Sequence, residues 1–269
     1  MLDCTVLNCV SRSNLRENSY KMEKLSLETL LKAGAHLGHK ASRWNPKMAP
    51  FIFATRSKFH VIDLEKTYQK IKQAQEFAEK VVKSGGVILF VGTKRQAREI
   101  VKKHAERAGM PYAVARWLGG TLTNFKTIQR SIKKLAQLEQ LMDSPQVSNY
   151  TKKERLMMQR EIAKSKILFE GIRELKKLPE AIFVVDVNDD IIAVKEARKM
   201  KVPVIGITDT DSDPSLVDYP IPANDDAVKS IDLIAGCIAD AVVAARQAAA
   251  PVGSGQEKQV TTEGSKHNN

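Results

Sequence analysis

The chain has 269 residues, with 43 Lys and Arg against 31 Asp and Glu, for a net charge of +12. That length supports a full hydrophobic core, and no apolar run reaches the roughly 18 residues a membrane helix needs, so no membrane role is expected. The basic excess favours an acidic polymer such as nucleic acid over a small neutral substrate.

The charge is uneven. Residues 181–269 hold 8 basic and 14 acidic side chains, which leaves 35 against 17 in residues 1–180. The first two-thirds is therefore the part expected to meet a polyanion. Cys4, Cys9 and Cys237 fit neither a zinc spacing nor a disulfide framework, which points to a reducing compartment.

Residues 1–21 read as a flexible N-terminal extension, or as translation from an upstream start, and lack the basic-then-apolar order of a secretory signal. Leu27, Leu30, Leu31 and Ala35 recur at helical spacing behind Ser26, a candidate cap. His36 to Met48 mixes glycine, aromatic, proline and basic residues and predicts an exposed loop. Phe51 to Phe53 and His60 to Ile62 predict a hairpin about Arg56, Ser57 and Lys58. Tyr68, Ile71, Ala74, Phe77, Ala78, Val81 and Val82 mark an amphipathic helix closed by Gly85 and Gly86. Val87 to Val91 is an unbroken apolar run of the kind buried on both faces of a parallel sheet. Gly92, Thr93 and Lys94 open a helix to about Ala108, and Tyr112 to Ala115 completes a βαβ unit.

Beyond Phe125 the pattern changes. Ile128, Ile132, Leu135, Leu138 and Leu141 or Met142 stripe a long basic helix that Ser144 and Pro145 break. Thr151-Lys152-Lys153-Glu154 has the form of a capping box, and Met158, Ile162, Ser165, Phe169 and Ile172 are spaced as a coiled-coil seam. Pro179 closes this antiparallel hairpin. A second βαβ unit follows, with a strand from Ala181 to Val187, a helix from about Asp189 to Met200 and a strand from Val202 to Ile207. Asp209, Asp211 and Asp213 then form an acidic loop, Tyr219 to Pro222 is extended, and Asn224, Asp225 or Asp226 caps a last helix running to about Ala249. The fold class expected is α/β, a doubly wound, mainly parallel sheet. Its globular part takes residues 22–125 and 179–249, with 126–178 inserted as a coiled-coil hairpin and 250–269 a disordered tail.

Four groups of residues carry possible chemistry. His39, Lys40, Arg43, Trp44, Asn45 and Lys47 combine bases, an aromatic and an amide, as a site for stacked bases and phosphates would, or else form a solvated loop with Trp44 tucked in. The stretch Arg116-Trp117-Leu118-Gly119-Gly120-Thr121-Leu122-Thr123-Asn124-Phe125 crowds aromatics, paired glycines and hydroxyls beside Lys126. It is either a binding surface, with Arg116, Trp117, Thr121, Thr123 and Asn124 as contacts, or a turn entering a helix with Thr123 or Asn124 as N-cap. Lys126, Arg130, Lys133 and Lys134 line one hairpin helix and Lys152, Lys153, Arg155 and Arg160 the other, a polyanion-binding face or simply a solvated one. The loop at Gly92-Thr93-Lys94 lacks the Walker and dinucleotide spacings, so it reads as a turn whose Lys94, Arg95 and Arg98 meet solvent or an RNA backbone.

No catalytic constellation is present, and no cofactor is expected. Asp186, Asp189, Asp190, Asp209, Asp211 and Asp213 read as capping and loop chemistry, with a Mg²⁺ site as the alternative. His36, His39 and His60 read as packed histidines rather than a metal centre.

The Arg116 to Phe125 stretch resembles, almost letter for letter, the signature of the family of the second protein of the small ribosomal subunit. The resemblance runs from about Glu23 to about Arg246 and takes in Gly38-His39, Arg43 to Met48, Ile62-Asp63-Leu64, Phe90 to Lys94, Leu178-Pro179, Val202-Pro203, Asp209 to Pro214 and Ile221 to Asp226. It implies a flavodoxin-like domain with an inserted coiled-coil hairpin, of the bacterial type, acting as a non-enzymatic structural constituent of the cytoplasmic small subunit. It further implies a place on the solvent side between head and body, contact with small-subunit rRNA, and neighbouring ribosomal proteins that include the large messenger-recruiting one. Asp209-Thr210-Asp211-Ser212-Asp213-Pro214 departs from the Asn and Cys often found at its middle positions. The alternative on such a fold is a nucleotide- or phosphosugar-dependent enzyme using Gly92-Thr93-Lys94 and the aspartates.

Overall fold

The computed structural model describes residues 25–249; the expected N-terminal extension and C-terminal tail lie outside them. Five strands, β4 (Ile88–Val91), β5 (Tyr112–Ala113), β6 (Ala181–Val184), β7 (Val204–Thr208) and β8 (Tyr219–Pro222), form an all-parallel sheet in the order β5-β4-β6-β7-β8. Numbered within the sheet this is the order 2-1-3-4-5, the flavodoxin-like arrangement.

The strands are apolar throughout because both faces are covered. Ile88 and Phe90 of β4, with Ala181 and Phe183 of β6, point to one side and join α2 (Leu64–Lys83), α3 (Arg98–Ala108) and α7 (Val228–Ala249). Leu89, Val91, Ile182 and Val184 point to the other, where they meet α6 (Ile191–Met200), Trp117, Leu122 and the root of the helical insertion. Phe90 and Phe183, paired in register, hold their rings 5.3 Å apart. Each such side chain contributes about 1.5–3 kcal/mol by leaving water. Pro220 and Pro222 are tolerated because β8 is an edge strand with one ladder to satisfy.

A second, three-stranded antiparallel sheet has the order β1-β3-β2, from β1 (Leu37–Lys40), β2 (Ile52–Arg56) and β3 (Phe59–Ile62). Ser57 and Lys58 both take positive φ at the β2–β3 hairpin, where the mirror-image turn matches strand twist. β1 corrects the expected loop: Leu37 to Lys40 pairs with β3, although its residues show no apolar alternation. Two 3₁₀ turns, Ala41–Arg43 and Pro46–Phe51, make up the rest of that segment.

Several caps follow the sequence. Ser26 closes a capping box with Thr29 at the start of α1 (Leu27–Lys32), and Thr151 does so with Glu154 at α5 (Lys152–Phe169). Asn224, the first of the three candidates, receives the amides of Asp226 and Ala227 ahead of α7. α3 begins only at Arg98, later than expected, after a looser turn in which Ala97 N–H bonds the Lys94 carbonyl.

The insertion consists of α4 (Phe125–Asp143) and α5, joined by a 3₁₀ turn and packed on each other through Ile128, Leu135, Ile162 and Phe169. In α5 the buried or half-buried residues are Met158, Ile162, Ser165, Leu168 and Phe169, and Ile172 is buried in the 3₁₀ turn that follows.

Candidate nucleic-acid interface

The turn from Trp117 to Thr123 is built around a buried carboxylate contributed by α6. Glu196, 9% exposed, accepts hydrogen bonds from the amides of Gly120 at 2.7 Å, Leu122 at 3.0 Å and Thr123 at 3.2 Å. The Thr123 hydroxyl at 3.2 Å and the Trp117 indole N–H at 3.3 Å complete the cage. Burial pushes the Glu196 carboxyl up, but the three amides and the indole overcome it and hold it below the usual range. Gly120 supplies the positive φ the turn requires.

This geometry sorts the residues of the stretch. Trp117 and Thr121 face inward, and the Thr121 hydroxyl bonds the Leu118 carbonyl at 2.6 Å, so both serve the turn. Arg116, Thr123, Asn124 and Lys126 stay exposed. Asn124 sits at the N-cap of α4, although its side chain accepts from the Thr127 hydroxyl rather than from a backbone amide.

The segment from His39 to Lys47 is pinned by the acidic loop after β7. The Thr210 hydroxyl accepts the His39 amide at 2.9 Å, and the Thr210 carbonyl accepts the Asn45 amide at 2.7 Å. Only glycine fits at 38, where a Cβ would stand 2.6 Å from the Thr210 methyl. Lys47 reaches Asp213 at 2.7 Å and Ser215 at 2.9 Å. Lys40 and Arg43 point to solvent, and Trp44 is half-exposed, its ring 5.2 Å from that of His60.

At the carboxyl ends of β4 and β6, where the strand order reverses, the crevice is filled by the chain's own groups. The Lys94 ammonium lies 3.1 Å from Asp186, 2.8 Å from Asp225 and 2.7 Å from Asp226. Asp190 accepts the Thr93 amide and hydroxyl at 3.2 and 2.9 Å. Burial would lower Lys94, yet hydrogen bonds to Asp225 and Asp226 hold it above the ordinary lysine range. Burial pushes Asp190 up to about 6. Lys94 therefore faces inward, whereas Arg95 and Arg98 of the same segment are exposed and Arg98 bonds the Thr93 carbonyl. Capping accounts for part of the acidic cluster, since Asp186 accepts the amides of Asn188 and Asp189 and Asp213 that of Ser215.

His39, Asp209 and Asp225 offer ligand atoms within 4.8 Å of one another, a set able to hold a divalent cation. His39 lies 3.1 Å from Asp209, whose hydrogen bond lifts the imidazole to about 9 against the opposing effect of burial.

Between α4 and α5, Lys134 pairs with Glu161 and Lys166 with Glu139, which also pairs with Arg173 beyond α5. Lys126, Arg130 and Lys133 are exposed on α4 and make no ion pair with another described residue; the same is true of Lys40, Arg43, Arg95 and Arg116. The signature stretch pointed to a turn, but its anchor lies some 75 positions further along. A clue exists in α6, where Glu196 falls three residues after Ala193 and one before Ala197 on an otherwise apolar face.

Among the described residues no helix is long and apolar enough to cross a membrane. Residues 30–245 match the family model described as Ribosomal protein S2. The small ribosomal subunit protein uS2 of Thermus thermophilus is 50% identical over 223 residues, 83% of this chain and 87% of the relative. The proteins of the same name from Fusobacterium nucleatum and Coprothermobacter proteolyticus are 47% identical over 246 residues and 45% over 242. They cover 91% and 90% of this chain and 99% and 90% of their own lengths.

Proposed function

Because the chain belongs to the ribosomal protein S2 family, we propose that it is a structural constituent of the small ribosomal subunit, in the cytoplasm, that binds small-subunit rRNA through exposed cations on rigidly mounted segments. The observation that carries this reading is the pairing of free charge with fixed backbone. Lys40, Arg43, Arg116, Lys126, Arg130 and Lys133 have no protein counter-ion among the described residues, while the segments behind them are held by Thr210 and Glu196. Cations of this kind neutralise phosphates and release condensed counter-ions, and their fixed spacing sets register on the RNA. Trp44 and Asn45 offer a stacking face and an amide edge beside them.

Lys94, Trp117 and Thr121 act inside the protein and leave the RNA-facing set. His39, Lys47 and Lys134 already have acidic neighbours and would contribute less. Arg95, Arg98, Thr123 and Asn124 complete the surface. The globular part, residues 22–125 and 179–249, would hold the subunit surface, on the solvent side between head and body, while residues 126–178 reach along the RNA as a coiled-coil hairpin. Neighbouring ribosomal proteins, including the large messenger-recruiting one, would meet the remaining faces.

Reversing charge with Arg116→Glu and Lys126→Glu tests the reading. Affinity for small-subunit rRNA should fall and the slope of log K against log salt should flatten by about 2. Unchanged affinity, with normal incorporation into subunits, would overturn it.

A further inference from the structure

The turn at 117–123 and α6 are remote in sequence, yet Glu196 ties them with five hydrogen bonds divided between its two oxygens. Oε1 takes the Gly120 amide and the Trp117 indole; Oε2 takes the Leu122 and Thr123 amides and the Thr123 hydroxyl. Every donor belongs to the turn, and no cation among the described residues forms an ion pair with the carboxylate. Such a full negative charge enclosed by amides is an internal version of an anion nest. It fixes the backbone immediately before α4, the helix that carries Lys126, Arg130 and Lys133, and immediately after Arg116. Without it the buried Leu122 amide and the part-buried Gly120 and Thr123 amides would be left unpaired, a state a chain leaves by refolding locally.

We propose that Glu196 is a positioning residue for RNA binding: it holds the turn in the single conformation from which Arg116 and the first turn of α4 present their charges. The inference rests on the RNA-binding reading above. A turn set in advance avoids the ordering cost of fixing those side chains on binding, so its loss weakens affinity through residues that Glu196 never touches.

The experiment measures binding to small-subunit rRNA well below the melting temperature for the full chain, Glu196→Gln, Arg116→Ala with Lys126→Ala, and the combination. In Glu196→Gln the new amide nitrogen meets donors that need an acceptor. Affinity should drop roughly tenfold, the cost of re-ordering one or two freed side chains. That drop should largely vanish in the combination, because the side chains it mispositions are already gone. Amide exchange at 118–124 should accelerate in the same variant while the sheet stays protected. An equal drop in both backgrounds, or unchanged affinity beside a lowered melting temperature, would overturn the inference and leave the RNA reading standing. If Arg116→Ala with Lys126→Ala itself binds as the full chain does, the RNA reading fails instead. Should Glu196→Gln not fold, the same measurements on Glu196→Asp decide, since its shorter carboxylate keeps the charge but cannot span both groups of donors.

Discussion

Lys94→Met removes the ammonium at the sheet's reversal point and keeps the length of the side chain. Two of the three carboxylates it pairs with are buried, Asp225 at 1% exposure and Asp186 at 5%, so solvent compensates them poorly once the cation is lost. Asp226 is half-exposed and adds little. Leaving buried carboxylates uncompensated costs about 3–5 kcal/mol, which for a chain of this length lowers the melting temperature by roughly 6–20 °C. Burial, Asp186 and Asp209 already push the Asp225 carboxyl upward against the pull of Lys94, so in the variant it takes up a proton more readily. Since Asp225 titrates at about 8 in the parent and higher in the variant, the deficit should shrink as the pH falls from about 10 towards 8. Calorimetric melting across that range, with the exposed Lys133→Met as a control expected within about 0.5 kcal/mol of the parent, is the assay. A melting temperature within 2 °C of the parent at pH 10, or a deficit that does not change with pH, would refute the reasoning.

His39 makes a pH-dependent contribution of opposite sign. Its imidazole titrates at about 9 in the folded chain against an ordinary 6.5, so its stabilisation is full below pH 6.5 and disappears as the pH rises through 9. Partial exposure reduces this to about 1–3 kcal/mol, and denaturant titrations of His39→Gln should lack that alkaline loss. Gly171 admits no Cβ, which would overlap the Tyr112 carbonyl and ring where the insertion rejoins the sheet edge; Gly171→Ala should cost about 1–3 kcal/mol in chemical denaturation and raise amide exchange at Tyr112 and Ala113. Phe183→Ala, in the centre of the sheet, should cost about 3–5 kcal/mol by the same assay.

Much of the architecture could be read from the chain because it obeys local rules. Apolar runs such as Val87 to Val91 and Ala181 to Val185 signal strands covered on both faces, and the four-three spacing from Met158 to Phe169 falls on buried or half-buried positions of α5. β1 was illegible for a physical reason: Leu37-Gly38-His39-Lys40 has no alternation, and what makes it a strand is its ladder to β3 and the Thr210 contact. Lys94 reads as a surface base until the strand order brings loops after β4 and β6 together with Asp225 and Asp226 ahead of α7. Glu196 is similar, since nothing near Trp117 to Thr123 announces a carboxylate. Exposed cations were easier to find than buried ones, because exposure needs no partner while burial always does.

Cross-linking of assembled small subunits, followed by mass spectrometry of protein–rRNA adducts, tests the central claim most directly. Adducts on the peptides that contain Lys40 to Lys47 and Arg116 to Lys133 are the predicted result. Their absence there, with adducts gathered instead on the outward side of α2 or α7, would contradict the account.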